Sequence, residues 1–151
     1  MLFRGDIEAF QATMRCVGCY LEHEGEILLL QKQGEHLYYP GKWGVVAGKV
    51  DPKEEPSVAI VREIQEEIGY EITPDVLGKP SEIPVIHPHF HFLYFLFHLS
   101  IIGERPQIRL SSEHCHFQWL APELAVSLDL IEDEAEVIAM HYALETIKAR
   151  S

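Results

Sequence analysis

From Ala12 to Lys32 two apolar stretches flank the polar segment Glu22-His23-Glu24-Gly25-Glu26, a pattern that predicts a β-hairpin turning at the glycine. Gln33 to Gly48 carries Gly34, Pro40, Gly41, Gly44 and Gly48 around a short apolar Val45-Val46-Ala47, which predicts loop, short strand and loop. A helical pattern follows. Pro56 stands just inside its start and Gly69 where it stops, so a helix is expected over about Glu55 to Ile68. Glu82 to Ile86 predicts a short strand, and His114 to Leu120 another. Phe90 to Ser100 is apolar and aromatic on both faces, as a buried central strand would be. Ile131, Ala135, Ile138 and Tyr142 recur at helical spacing and predict a last helix from about Leu130 to Lys148. Its first turn is acidic (Glu132, Asp133, Glu134) and its end basic (Lys148, Arg150), matching the helix dipole. The fold class is therefore α+β, a mixed β-sheet with helices segregated around it.

A chain of 151 residues fits one domain over 1–151, able to bury roughly 70% of its unfolded surface without a disulfide or metal staple. With 47% hydrophobic and 24% charged residues, disorder is excluded as the main state. Asp and Glu number 24 against 12 Lys and Arg, a net charge of -12. Such a surface repels phosphate backbones and anionic bilayers, so no polymeric nucleic acid and no membrane is expected as a partner. The longest apolar stretch, Phe90 to Leu99, is interrupted by His91 and His98 and is far shorter than the roughly 20 residues that cross a bilayer. The segment Met1 to Asp6 lacks the pattern of a signal peptide, and three cysteines, an odd number, suit a reducing compartment. The cytoplasm is the expected location.

Chemistry concentrates on the first helix. At about 100° per residue, with Glu63 at zero, Glu66 falls near −60° and Glu67 near +40°, while Val58, Val61, Ile64 and Ile68 occupy roughly 100° to 220°. Three carboxylates share one face. Like charges at these spacings each cost roughly 0.2–0.5 kcal/mol, so the face is either an acidic solvent face or a seat for something cationic. Oxygen ligands without Cys or His favour Mg²⁺ or Mn²⁺, or Ca²⁺ in a roomier site.

The context decides between these. Gly48-x5-Glu54-x7-Arg62-Glu63-Ile64-Gln65-Glu66-Glu67-Ile68-Gly69-Tyr70 resembles the signature box of the Nudix hydrolases, with Tyr70 standing where an aliphatic residue is usual. Pro40-Gly41-Lys42-Trp43-Gly44 also resembles the segment that leads into the box in that family. The resemblance implies an α/β/α sandwich and hydrolysis of a nucleoside diphosphate linked to another moiety. Nucleoside triphosphates, oxidised dNTPs, nucleotide sugars and ADP-ribose are the substrate classes it opens. It further implies Mg²⁺ or Mn²⁺ as cofactor, with Glu63, Glu66 and Glu67 as ligands alongside the Gly48 carbonyl, and Arg62 with Glu54 as a brace between loop and helix. A fourth carboxylate is expected outside the box, shortly before a late-strand Trp. Glu113, six residues before Trp119, takes that place as an extra ligand or as the base that accepts the water's proton. The physical logic agrees, since an acidic protein needs divalent ions to neutralise a diphosphate and to generate hydroxide.

Other residues are candidates for substrate contact: Tyr39, Trp43, Lys49 and His91, with Tyr38 and Phe90 as further aromatics that could stack on a base. His87, His89 and His91 alternate around Pro88. Cys16 and Cys19, if on a strand, point to opposite faces, which argues against a zinc site with Cys115 and His116. A homodimer is possible. The competing function is a Nudix-fold regulatory module that binds a nucleotide without turnover, which the full set Glu63, Glu66 and Glu67 argues against. An isoprenoid-diphosphate isomerase on the same fold is the third.

Overall fold

In the structure of the protein, a computed structural model, residues 2, 14–86 and 91–144 are described. Strand β1 (Met14–His23) and strand β2 (Glu26–Lys32) meet across the turn Glu24-Gly25 and pair only at that end, Glu22 opposite Ile27 and His23 opposite Glu26. Beyond these pairs the expected hairpin opens. Strand β4 (Val46–Lys49) lies antiparallel beside β1 with Gly48 opposite Val17. Meanwhile β2 pairs with strand β3 (Trp43–Gly44) and with strand β7 (His114–Leu120). On its other side β1 runs parallel to strand β6 (His91–Ser100), which strand β5 (Ser81–Ile86) follows antiparallel. The result is a seven-stranded mixed sheet of order β3-β2-β1-β6-β5, with β4 on β1 and β7 on β2.

Alternation along the strands divides two cores. Val17, Cys19 and Leu21 of β1, Leu28 and Leu30 of β2, and Phe97 and Leu99 of β6 pack against Ala59, Ile60, Ile64 and Ile68 of helix α1 (Pro56–Ile68). Tyr20, Ile27, Leu29, Tyr94 and Leu96 face the other way, toward Ala125 of α2 (Pro122–Ala125) and Val137 and Ile138 of α3 (Glu134–His141). This is the helix–sheet–helix sandwich expected from the sequence. Ile60, Ile64 and Ile68 form one fully buried seam at i, i+4 and i+8, each contributing roughly 1.5–3 kcal/mol by its burial.

Helix α1 begins with Pro56 after Glu55 and ends at Gly69, whose φ of 70° is the left-handed cap expected of a terminal glycine. Strands β5 and β7 and the central strand β6 also lie where the pattern puts them, while Phe90 falls outside the described residues. Two further expectations change. The single short strand at 45–47 is two, β3 and β4, because Gly44 pairs with Leu30 of β2 while Val46 pairs with Cys19 of β1. The last helix is shorter than Leu130 to Lys148. Leu130 bridges to Trp43, and the Ile131 N–H donates to the Trp43 carbonyl at 2.8 Å, which commits those residues to the sheet. Asp133 then turns through φ 72° before α3 starts at Glu134. Lys148 and Arg150 lie outside the described residues. No helix among the described residues is long and apolar enough to cross a membrane.

Candidate active site

The site grows from the contact of α1 with β4. Glu67 is only 3% exposed, and its Oε1 accepts the Ala47 N–H at 3.0 Å. Burial pushes its carboxyl up to about 8; Lys32 and the Ala47 N–H pull it back, and Glu63 and Glu113 push it further. One turn earlier, the Glu63 carboxyl lies directly over Gly48. A Cβ at that position would overlap it, so only glycine lets the β4 backbone come this close. Burial raises the Glu63 carboxyl as well, against the pull of Arg62.

Arg62 ties the preceding loop to the helix. Its Nε donates to Glu54 Oε2 at 3.0 Å and its Nη2 to Glu54 Oε1 at 2.9 Å, a bidentate pair that a lysine cannot make. The Asp51 N–H donates to the same Glu54 Oε1, and Arg62 Nη2 also donates to the Lys49 carbonyl at 3.1 Å. Held by Arg62 first and by the Asp51 N–H next, the Glu54 carboxyl drops to about 2. Arg62 Nη1 donates to Glu63 Oε1 at 2.8 Å and lies 3.5 Å from Glu66 Oε2. Arg62 thus sets a guanidinium against the Glu63 and Glu66 side of the acidic helix face.

The last turn of α1 holds Glu66 and Glu67 and no basic residue, against the sense of the helix dipole. The segment leading to β7 crosses this end of the helix. The Arg109 N–H donates to the Ile68 carbonyl at 2.8 Å, the Ser111 N–H to the Glu67 carbonyl at 3.1 Å, and the Gln33 N–H to the Glu113 carbonyl at 3.0 Å. These bonds bring Glu113 to Glu67. A carboxylate oxygen of each and a ring nitrogen of His114 lie within 4.8 Å of one another. His114 is 4% exposed, and its Nδ1 has no hydrogen-bond partner among the described residues. Burial, with Lys32 and His36 nearby, lowers its ring to about 4, so it is neutral at pH 7. This donor set suits a divalent cation: clustered carboxylates, an unpartnered neutral imidazole, and a glycine that leaves room at the β4 backbone.

Beside the cluster is a cavity of about 220 Å³ whose wall includes Lys32, Tyr39, Ala47, Gly48, Phe92 and Glu134. Of the expected substrate contacts, Tyr39 lines it. Trp43 packs instead against the core beneath α2 and α3, and its N–H donates to the Asp129 carbonyl. Lys49 is exposed at the end of β4, and His91 is exposed opposite Ile86 at the start of β6. His87, His89 and Phe90 lie outside the described residues. Cys16 and Cys19 pack into opposite cores, and no ligand cluster among the described residues contains a cysteine. Sequence reasoning missed Lys32 and His114. Their Cα atoms are register partners across β2 and β7, a long-range pairing with no local signal.

A family model described as NUDIX domain matches residues 12–140. The chain belongs to the NUDIX domain family. By class it is a Nudix pyrophosphohydrolase. Among curated proteins it is similar to the nucleoside triphosphatase NudI of Escherichia coli strain K12, 27% identical over 129 residues that cover 80% of this chain and 89% of the relative. Among solved structures, a MutT protein from Methanosarcina mazei Go1 superposes with a TM-score of 0.72 at 22% identity, covering 86% of this chain and 92% of that one. The NUDIX domain of Shewanella oneidensis NrtR, complexed with ADP ribose, gives 0.70 at 17% identity, with 92% of each chain covered. Both structures share the Nudix fold.

Proposed function

We propose that this Nudix domain hydrolyses a diphosphate linkage in a nucleoside derivative, nucleoside triphosphates first, using Mg²⁺ or Mn²⁺. Glu63, Glu66, Glu67 and Glu113, with the Gly48 carbonyl, would hold the ion. The observation that carries the reading is the convergence of Glu113 on buried Glu67 beside a cavity that Gly48 also lines. The preference for triphosphates rests on the likeness to NudI.

When bound, the ion would neutralise the diphosphate and lower the pKa of its water. The protein's own groups supply the rest. Lys32 faces both the Glu67 cluster and the cavity, where it adds positive charge for a phosphate. Glu113 is exposed on a loop bonded across the end of α1, and its carboxylate would add to the ligand set there. The Arg62–Glu54 pair keeps the loop from Asp51 to Glu54 seated, so that Gly48 stays under Glu63. Tyr39 and Phe92 offer ring faces in the cavity for a base.

The test is a screen of nucleoside triphosphates, oxidised dNTPs, nucleotide sugars, ADP-ribose and dinucleotides with product identification. Turnover is expected only with a divalent cation. Glu63→Gln and Glu67→Gln should each remove most of it without unfolding the domain, and Glu113→Gln should lower kcat far more than it raises KM. If both helix variants stay active on the best substrate, the metal face is elsewhere.

A further inference from the structure

We propose that His114 joins Glu67 and Glu113 in one metal-binding set, which makes the site take Mn²⁺ or a neighbouring first-row transition ion in preference to Mg²⁺. The inference rests on reading Glu67 and Glu113 as metal ligands.

His114 opens β7 opposite Lys32, and its backbone is fixed on both sides: its N–H donates to the Ser111 carbonyl at 3.2 Å and its carbonyl accepts from Gln33 Nε2 at 3.4 Å. The ring is thereby held under the protein surface, 4% exposed. Buried polar atoms are nearly always paired, yet Nδ1 of this ring has no partner among the described residues. The ring also sits where a ligand would. One of its nitrogens lies within 4.8 Å of carboxylate oxygens of both Glu67 and Glu113. Two donors on opposite sides of a divalent ion are roughly 4 Å apart at metal–ligand distances near 2 Å, so this span closes on an ion by small side-chain rotations.

The identity of the ion follows from the donor type. Mg²⁺ demands oxygen ligands in near-ideal octahedral geometry and gives up its waters reluctantly, so it gains little from an imidazole. Mn²⁺, Fe²⁺, Co²⁺ and Zn²⁺ bind imidazole with increasing strength along most of that series. A histidine among otherwise hard carboxylates moves selectivity toward those ions. His36 is near enough to interact with the His114 ring, and the experiment must separate the two.

The full chain loaded with Mn²⁺ is examined by pulsed electron paramagnetic resonance, with ordinary and ¹⁵N-labelled histidine. Wild type should show modulation from a directly bound imidazole nitrogen, changed by the label, retained in His36→Gln and lost in His114→Leu. Calorimetric titration with each ion alone should show the ratio of Mn²⁺ to Mg²⁺ affinity falling by about tenfold or more in His114→Leu. Mn²⁺ whose binding depends on Glu67, as Glu67→Gln shows, but which carries no imidazole signal in wild type overturns the inference while the metal face stands. A signal lost with His36→Gln overturns it too. Mn²⁺ binding unaffected by Glu67→Gln overturns both readings. If His114→Leu fails to fold, His114→Gln takes its place in the same spectra and should likewise lose the signal, while His116→Gln should retain it.

Discussion

Gly48 is the residue at which backbone and chemistry meet most tightly. A methyl group there would occupy the space of the Glu63 carboxyl, so Gly48→Ala should cost about 1–3 kcal/mol and displace Glu63. Urea denaturation should show a lower midpoint with unchanged slope, and turnover should fall with it. A variant as stable and active as wild type would show that Glu63 moves aside freely. Arg62 is the second such residue. Arg62→Lys keeps the charge but cannot reproduce the two parallel bonds to Glu54 and the third to the Lys49 carbonyl. A loss of about 1.5–3 kcal/mol is expected, the range for a hydrogen bond to a charged group. A charge-only role would leave the denaturation midpoint in place.

Among the elements, α1 spends its inner face on packing and its last turn on carboxylates, while α3 carries a different load. Glu134, at the start of α3, is half-buried beside Tyr20, whose hydroxyl donates to its Oε1 at 3.4 Å. Burial raises its carboxyl from 4.5 to about 7, with the Tyr20 bond opposing and Asp133 reinforcing the shift. The sign follows from proton counts. Between about pH 4.5 and 7 the folded protein keeps a proton that the unfolded chain releases, so this group lowers stability as pH rises through that window and adds no further slope above it. In the presence of a chelator, Glu134→Gln should lose stability less steeply than wild type between pH 5 and pH 7. Parallel pH profiles for the two would mean that Glu134 ionises normally.

At the scale of the whole molecule, a net charge of -12 and a self-repelling carboxylate cluster both invite cations, and they can be told apart. A divalent ion at a hundredfold excess over its dissociation constant adds roughly 2.7 kcal/mol of stability. The melting temperature should therefore rise with Mg²⁺ or Mn²⁺ in wild type and hardly at all in Glu67→Gln. The same rise in both proteins would mark general screening of the charge. The sandwich makes the specific effect possible, because burying α1 on the sheet removes Glu67 from water and leaves its oxygens facing Glu113.

The sequence by itself determined the helix of the box, from Pro56 to its glycine stop, and the shared face of Glu63, Glu66 and Glu67. The resemblance of the box implied the brace from Glu54 to Arg62, and the apolar pattern determined the strands β5, β6 and β7. All of these are written in local periodicity, capping and short spacings, which act through neighbouring residues. Only the tertiary structure decided that the first hairpin opens to admit β4, that Leu130 and Ile131 join the sheet rather than α3, and that Trp43 packs into the core while Tyr39 faces the cavity. It alone brought Lys32 and His114 to Glu67, and set Glu113, which the resemblance had singled out, beside them. Those residues meet through the pairing of β2 with β7 and a loop bonded across the end of α1, contacts between segments distant in the chain. Their energy depends on which surfaces remain to be covered once the local elements have formed, and no local pattern encodes that.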